Sequence, residues 1–417
     1  MSRLWEWKTG SGWWFFLKGA DDVEVLEDEA GWVDREVRET FVESSDVPHS
    51  HHSRSCLQAT IMTPMPRRRF LQGSSFALLS SHLTFAQDPG RAPIKAGQIG
   101  TKHAHAAGKL ATMLELSDLY EVVGVAEVDE KRRAKVAQGK PYQGCTWVSE
   151  DALLSDPGIE VIAIETEIDE LVPTALRCLR AGKHIHLDKP AGQTLAPCRA
   201  LHAEAKKRGL TIQMGYMLRY NPAFEFLFKA VKAGWLGEIT EVHGHMGKRA
   251  SASLREELAA YPGGGLFELA CHLIDALVTV LGKPVEVTSI ALTSQDDGFK
   301  DNQIATFRYP NALATIGSNH NDPFGGPRRQ FAVIGTEGSI EIRPLEPAKL
   351  RLSLTKAQGS FSKGIHEVDL PKSEGRYHGE FRDLAKVVRG EKAFAWDAAH
   401  DIAVQETLLR ASGMPLD

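Results

Sequence analysis

Gly182-Lys183-His184-Ile185-His186-Leu187-Asp188-Lys189-Pro190 reads as a helix end, a short apolar strand and a charged loop. Gly182 closes a helix whose Leu171, Ala175, Leu176 and Leu179 fall at helical spacing. The same grammar repeats on both sides. Ile94–Ile99, Glu121–Glu127, Thr146–Val148, Val161–Glu165, Ile185–Leu187 and Leu210–Met214 read as strands. Residues 104–115, 130–139, 149–154 and 195–209 read as the helices between them. Strands alternating with helices predict a parallel, doubly wound α/β sheet, buried on both faces. Ligands of such sheets bind at the carboxyl ends of the strands, where Gly100, Glu127, Glu165 and Lys189 fall.

From about Tyr216 the pattern changes. A helix over 222–233 precedes strand-like runs at 239–246, 285–292, 303–309, 312–318, 330–334, 339–342 and 349–354. One apolar helix over 266–281 lies among them, and helices over 377–389 and 398–412 close the chain. Consecutive strands with short turns predict an α+β second domain with a largely antiparallel open sheet. The division is therefore 91–215 for the first domain and 216–417 for the second.

The N-terminal ninety residues differ. Residues 1–61 carry Trp5, Trp7, Trp13, Trp14 and Trp32, five of the chain's 8 tryptophans, and then an acidic stretch. They show no clear helical or strand period and read as a poorly packed, non-native extension. Residues 62–90 hold Arg67-Arg68-Arg69-Phe70-Leu71, a mild apolar stretch and a small-residue end, which resembles a twin-arginine export signal followed by a linker. On that reading translation starts near Met62 or Met65 and the protein is exported to the periplasm; otherwise it is cytoplasmic.

Composition narrows the function. The net charge of −5 argues against a nucleic-acid partner. No apolar run reaches the length of a membrane span. Cys56, Cys145, Cys178, Cys198 and Cys271 form no CxxC pair and read as buried thiols rather than a disulfide or zinc framework. No metal site is expected: His103, His105 and His186 lack an acidic ligand at metal spacing.

Gly100-Thr101-Lys102-His103-Ala104-His105 is a candidate phosphate turn. Gly100 fits the first glycine of GxGxxG, but Lys102 and His105 replace the second and third. Glu127, at the end of the second strand, suits adenosine ribose hydroxyls, which favours NAD and leaves NADP possible.

The Gly182–Pro190 run resembles the "AGKHV-x-x-EKP" segment of the glucose–fructose oxidoreductase / inositol dehydrogenase (Gfo/Idh/MocA) family. The resemblance continues in Tyr216-Met217-Leu218-Arg219-Tyr220-Asn221-Pro222, Leu236-Gly237-Glu238-Ile239, Gly263 through Asp275, and Gly335-Thr336-Glu337-Gly338-Ser339-Ile340. It implies a Rossmann domain, an α+β domain used for homo-oligomer contacts, and hydride transfer on a sugar- or cyclitol-like, small-molecule substrate. It implies that Lys189 lies between nicotinamide and substrate, that His272 is the base, and that Glu268 stands where aspartate is usual. Asp188, Pro190 and Thr166 would border the cofactor, with Thr101, Lys102 and His103 in its turn. Arg219, Tyr220 and Asp275 would face the substrate, with Lys248, Arg249, His320 and Asn321 as further contacts.

The residues support these roles. Alcohol oxidation needs a proton acceptor, and histidine titrates in the right range. Glu268 and His272, four apart in a helical run, are expected on one face, where the carboxylate orients the imidazole. Lys189 supplies charge for a developing alkoxide. Two other functions fit the same sequence. One is glycoside cleavage by transient oxidation and elimination with retained NAD. The other is a non-catalytic ligand-binding module whose defective glycine turn has lost the cofactor.

Overall fold

The computed structural model describes residues 91–417 and the backbone of three N-terminal strands. The chain divides into two units, Met1–Thr84 and Phe85–Asp417. The twin-arginine-like run, the linker up to residue 90 and Cys56 lie outside the described residues.

In the first unit, β1 (Arg3–Thr9), β2 (Gly12–Lys18) and β3 (Val23–Val25) pair antiparallel in sequence order. This corrects the expectation that no strand period runs through the segment. Thr9 pairs with Gly12 across a two-residue loop, and both flanking runs are rich in aromatic residues. Gly10-Ser11 between such runs is a hairpin signal that a search for strict alternation overlooks.

The second unit opens with five parallel strands: β4 (Ile94–Ile99), β5 (Tyr120–Ala126), β6 (Val161–Ile164), β7 (His184–Leu187) and β8 (Ile212–Met214). Their order is β5-β4-β6-β7-β8. Every residue of β6 is buried, as a strand covered by helices on both faces must be. Strand order reverses between β4 and β6, which opens a crevice beyond their carboxyl ends. Gly100 follows β4 there and Glu165 follows β6. The expected strand at 146–148 reduces to a single bridge from Trp147 to Val125.

The C-terminal sheet has eight strands: β9 (Ile239–Gly247), β10 (Glu286–Leu292), β11 (Asn302–Arg308), β12 (Leu313–Asn319), β13 (Gln330–Gly335), β14 (Gly338–Leu345), β15 (Ala348–Leu354) and β16 (Gly364–Val368). Their order is β10-β11-β12-β9-β13-β14-β15-β16, antiparallel except for the parallel β9–β12 pair. The expectation of a largely antiparallel sheet holds. Strand β16 and the helix Ala252–Ala259 are additions to it. On β11 alternate residues Gln303, Ala305 and Phe307 are buried, while Ile304 faces out opposite Ile290.

The apolar helix expected over 266–281 is two helices, Gly264–Glu268 and Cys271–Leu281. The carbonyl of Gly265 accepts from both Leu269 and Ala270, so the turn widens by one residue and the ladder breaks. The helix His378–Val388 returns to the first sheet. Tyr120 donates its hydroxyl to the Phe381 carbonyl at 2.6 Å, and His186 Nε2 meets Glu380 Oε2 at 2.6 Å, both buried. His186 is thus committed to this helix. No helix among the described residues is long and apolar enough to cross a membrane.

Candidate active site

The turn after β4 is built around one glycine. Gly100 has φ of +85°, and a Cβ on it would stand 2.7 Å from the Thr166 nitrogen and 2.8 Å from the Glu165 carbonyl. Any side chain would drive β4 and β6 apart, so only glycine closes this turn. Glu127 follows β5 and folds over the same turn. Its carboxylate accepts from the Thr101 amide at 3.0 Å and the Thr101 hydroxyl at 2.6 Å. Gly100, Thr101, Glu127 and Thr166 are therefore one cluster.

The two missing glycines send their side chains elsewhere. Lys102 reaches Glu167 at 3.0 Å on the surface. His105 precedes the helix Ala106–Glu115 and turns inward, with Nδ1 3.1 Å from Asp188 Oδ2. His103 Nδ1 lies 2.9 Å from the same oxygen, and its Nε2 lies 3.2 Å from the Lys189 carbonyl.

A residue that the sequence reading missed organises this corner. The ammonium of Lys109, wholly buried, sits 2.8 Å from Asp188 Oδ2 and 3.4 Å from Glu165 Oε1. Burial presses the Asp188 pKa up, but His103, Lys109 and His105 outweigh it and hold the carboxyl well below its usual range. Glu165 goes the other way: burial, together with the charge of Asp188, raises it well above the usual value despite Lys109. Two buried carboxylates beside one ammonium thus divide into one charged and one neutral group. The visible signal was a lysine between Ala106 and Leu110 on the buried face of the helix. The nitrogens of His103 and His105 and an oxygen of Asp188 lie within 4.8 Å of one another, a set of metal-ligating atom types. Asp188 supplies the acidic partner that local spacing did not offer, and Lys109 already lies against the oxygen they share.

Lys189 is 2% exposed, and its Nζ donates to the main-chain carbonyl of Glu268 at 2.7 Å. Burial lowers its pKa, but the Cys271 thiol, Glu268 and Asp188 more than reverse this, so it stays protonated. His272 is 1% exposed and behaves oppositely. Burial first, then the positive charges of Lys189 and Arg376, hold its pKa well below the ordinary histidine value. Its Nδ1 is buried without a partner, and its ring lies 6.1 Å from that of His105. Burial likewise lowers His105, to about 3. A charged ammonium beside neutral imidazoles can stabilise an alkoxide and accept a proton.

Several expected roles are corrected. Glu268 does not orient His272, because the broken helix removes them from one face. Its carboxylate instead meets Lys248 at 3.1 Å and His320 at 3.4 Å. Arg219 and Asp275 are not free for substrate. Arg219, fully buried, binds Asp275 at 2.7 Å and Asp401 at 2.6 Å, and Asp275 also meets His400 at 3.1 Å. The Tyr220 hydroxyl lies 2.9 Å from Gln213 Nε2 and 3.1 Å from Asp383 Oδ2, so it too is spent on structure. Arg249 bridges Asn321 through the backbone, and Asn321 Oδ1 accepts from Arg255. Pro190 is buried directly after Lys189.

A parallel sheet with a glycine turn, a carboxylate anchored over that turn and a buried lysine at a strand end fits a dinucleotide-dependent oxidoreductase. Residues 94–216 match the oxidoreductase family with an NAD-binding Rossmann fold, and residues 224–341 match the GFO/IDH/MocA C-terminal domain. The chain belongs to this Gfo/Idh/MocA family. It is 30% identical over 260 residues to trans-1,2-dihydrobenzene-1,2-diol dehydrogenase of Bos taurus, covering 62% of this chain and 74% of the relative. It is 36% identical over 213 residues to the uncharacterized oxidoreductase YdgJ of Escherichia coli, covering 50% of this chain and 60% of that one. For the oxidoreductase YhhX of the same organism the match covers 61% of the relative. Among solved structures, levoglucosan dehydrogenase in complex with NADH and levoglucosan superposes with a TM-score of 0.67 at 18% identity, covering 77% of this chain and 97% of that one. That likeness is one of fold.

The residues present fit a nicotinamide dinucleotide. The Gly100 turn leaves no room for a Cβ, and Glu127 is fixed over it by Thr101. A side-chain-free backbone and an anchored carboxylate suit a pyrophosphate and a ribose respectively.

Proposed function

We propose that this protein is an NAD-dependent dehydrogenase acting at a hydroxyl-bearing carbon of a sugar- or cyclitol-like substrate. The observation that carries the reading is a buried Lys189, bonded to the Glu268 carbonyl four residues before a buried His272 whose Nδ1 has no partner. Lys189 is held charged and His272 is held neutral.

Bound nicotinamide supplies the hydride acceptor. Lys189 holds the substrate oxygen and stabilises negative charge as it develops there. His272 accepts the hydroxyl proton at a ring nitrogen. Its unpartnered Nδ1 is the polar atom that a substrate hydroxyl would satisfy, and leaving it bare costs about 1–3 kcal/mol. Asp188, held by Lys109, His103 and His105, fixes the loop that carries Lys189 through the Lys189 amide at 2.7 Å. Glu127 favours NAD over NADP, since its charge repels a 2′-phosphate. The names of the bovine diol dehydrogenase and of levoglucosan dehydrogenase support a hydroxyl-bearing substrate. The outward-facing Ile290 and Ile304 support pairing of copies through the open sheet.

The test is nucleotide binding by calorimetry combined with turnover of a polyol panel, using the protein and Lys189→Met. Removing one such charge-stabilising donor lowers kcat about 10²–10³-fold. The expected result is NAD binding in both proteins and turnover in the parent alone. Lack of NAD binding by the parent, or near-parental turnover by the variant, rejects the reading.

A further inference from the structure

Around Lys189, the side chains of the C-terminal domain carry more positive charge than their carboxylates offset. Lys189 bonds to the carbonyl of Glu268, while the Glu268 carboxylate is taken by Lys248 and His320. Beside Lys248 stands Arg329. Its Nε donates to the Gly247 carbonyl at 3.1 Å, and its Nη1 comes no closer than 3.9 Å to Glu346. Yet its side chain is only 16% exposed. Arg376 takes the same Glu346, at 3.0 Å. One carboxylate therefore serves two guanidinium groups.

The electrostatics agree. Burial lowers the Arg329 pKa, Glu346 opposes this, and Arg376 adds to the lowering. Arg376 Nε lies 2.8 Å from Met217 Sδ, and the neighbouring Tyr216 ring packs 6.0 Å from that of His272, which places Arg376 near the reacting centre. Lys109, Lys189, Lys248, Arg329 and Arg376 are five cations against three charged carboxylates, Asp188, Glu268 and Glu346. A guanidinium so loosely paired in a sheltered site is stabilised by a planar or tetrahedral oxyanion that fills its fork. A neutral polyol offers no such group.

We propose that Arg329 and Arg376 bind an anionic group on the substrate, so that the protein acts on a sugar acid or a sugar phosphate. This rests on the dehydrogenase reading above and names its substrate class. Glu346, shared between the two arginines, is the internal anion that the substrate group joins or displaces.

The test compares D-glucuronate, D-glucose 6-phosphate and D-glucose with the full chain and NAD, as both turnover and equilibrium binding. At least one anionic probe is expected to exceed glucose in kcat/KM by roughly tenfold or more, mainly through KM, with the advantage shrinking in added salt. Preference for glucuronate identifies a carboxylate as the source of the anion, and preference for the 6-phosphate identifies a phosphate. In Arg329→Met and Arg376→Met the anion-to-neutral ratio should fall by a similar factor, and Arg329→Lys should restore part of it. Arg376 lies at the surface, so its variant guards against a failure to fold. Equal handling of neutral and anionic probes, or variants that leave the ratio unchanged, overturns the proposal. If nothing is turned over, calorimetric binding decides. Anion-selective binding lost in both methionine variants upholds the site while the dehydrogenase reading fails, and its absence rejects the site.

Discussion

Replacing Arg219 with methionine separates a structural arginine from a substrate-binding one. The guanidinium is wholly buried, with contacts of 2.7 Å to Asp275 and 2.6 Å to Asp401. Methionine fills much of the volume but leaves two buried carboxylates. Asp275 keeps His400 at 3.1 Å, while Asp401 keeps only the His202 imidazole, at 3.8 Å, whose protonation burial disfavours. Breaking a buried pair by removing one partner costs about 3–5 kcal/mol, and the doubled pairing places the loss at the upper end. Urea unfolding at pH 7, followed by tryptophan fluorescence, reads it directly. The cost should narrow on acidification. In the parent, burial raises the Asp275 pKa, but Arg219 and His400 pull it below its ordinary value. A depressed pKa contributes stability above the unfolded value of about 3.9 and loses it as pH falls through the folded value. Without Arg219 burial prevails and the pKa lies above the unfolded value, so protonation relieves the variant between neutral pH and about 4. Adding Asp275→Asn and Asp401→Asn to Arg219→Met should recover part of the loss at pH 7. A variant destabilised by less than about 1 kcal/mol, with its defect confined to KM, would return Arg219 to the substrate cleft.

Gly100→Ala should cost NAD affinity at least about tenfold in calorimetry, because its Cβ would stand 2.7 Å from the Thr166 nitrogen. Glu127→Ala should weaken NAD and narrow the gap to NADP; an unchanged ratio of the two dissociation constants would remove Glu127 from the ribose site. The basic limb of His272 should be flat in kcat/KM across pH 6 to 8, since its pKa lies well below the ordinary value of about 6.5 and the neutral form already dominates. A limb rising through pH 6.5 would contradict that environment. Glu268→Gln and His272→Asn should give nearly additive effects on kcat in a double-mutant cycle, as the two side chains no longer share a helical face.

Alternation of apolar strands and helices made the first sheet legible, because period and composition are local properties. The Gly100–Glu127–Thr166 cluster followed, since strand ends converge in such a sheet. What local pattern could not supply was long-range pairing. Asp401 reaches Arg219 across 182 residues, and Asp188 reaches Lys109 across 79. A sequence reading sees each charge without its partner and assigns it to substrate. The break between Glu268 and Cys271 was hidden for another reason: no proline marks it, and it arises from two amides converging on the Gly265 carbonyl.

The bond between His186 and Glu380 joins β7 to a helix that the ribosome makes 194 residues later. The same helix receives Tyr120 through its Phe381 carbonyl and Gln213 through its Glu380 carbonyl. The nucleotide-binding half therefore cannot mature as it emerges during synthesis. Its His186 imidazole and Tyr120 hydroxyl gain their buried partners only when nearly the whole chain has been delivered. A gene fragment ending after β8 would encode all of the first sheet and still yield no finished domain, so exchange of this half between proteins by simple fusion requires the distant helix to travel with it.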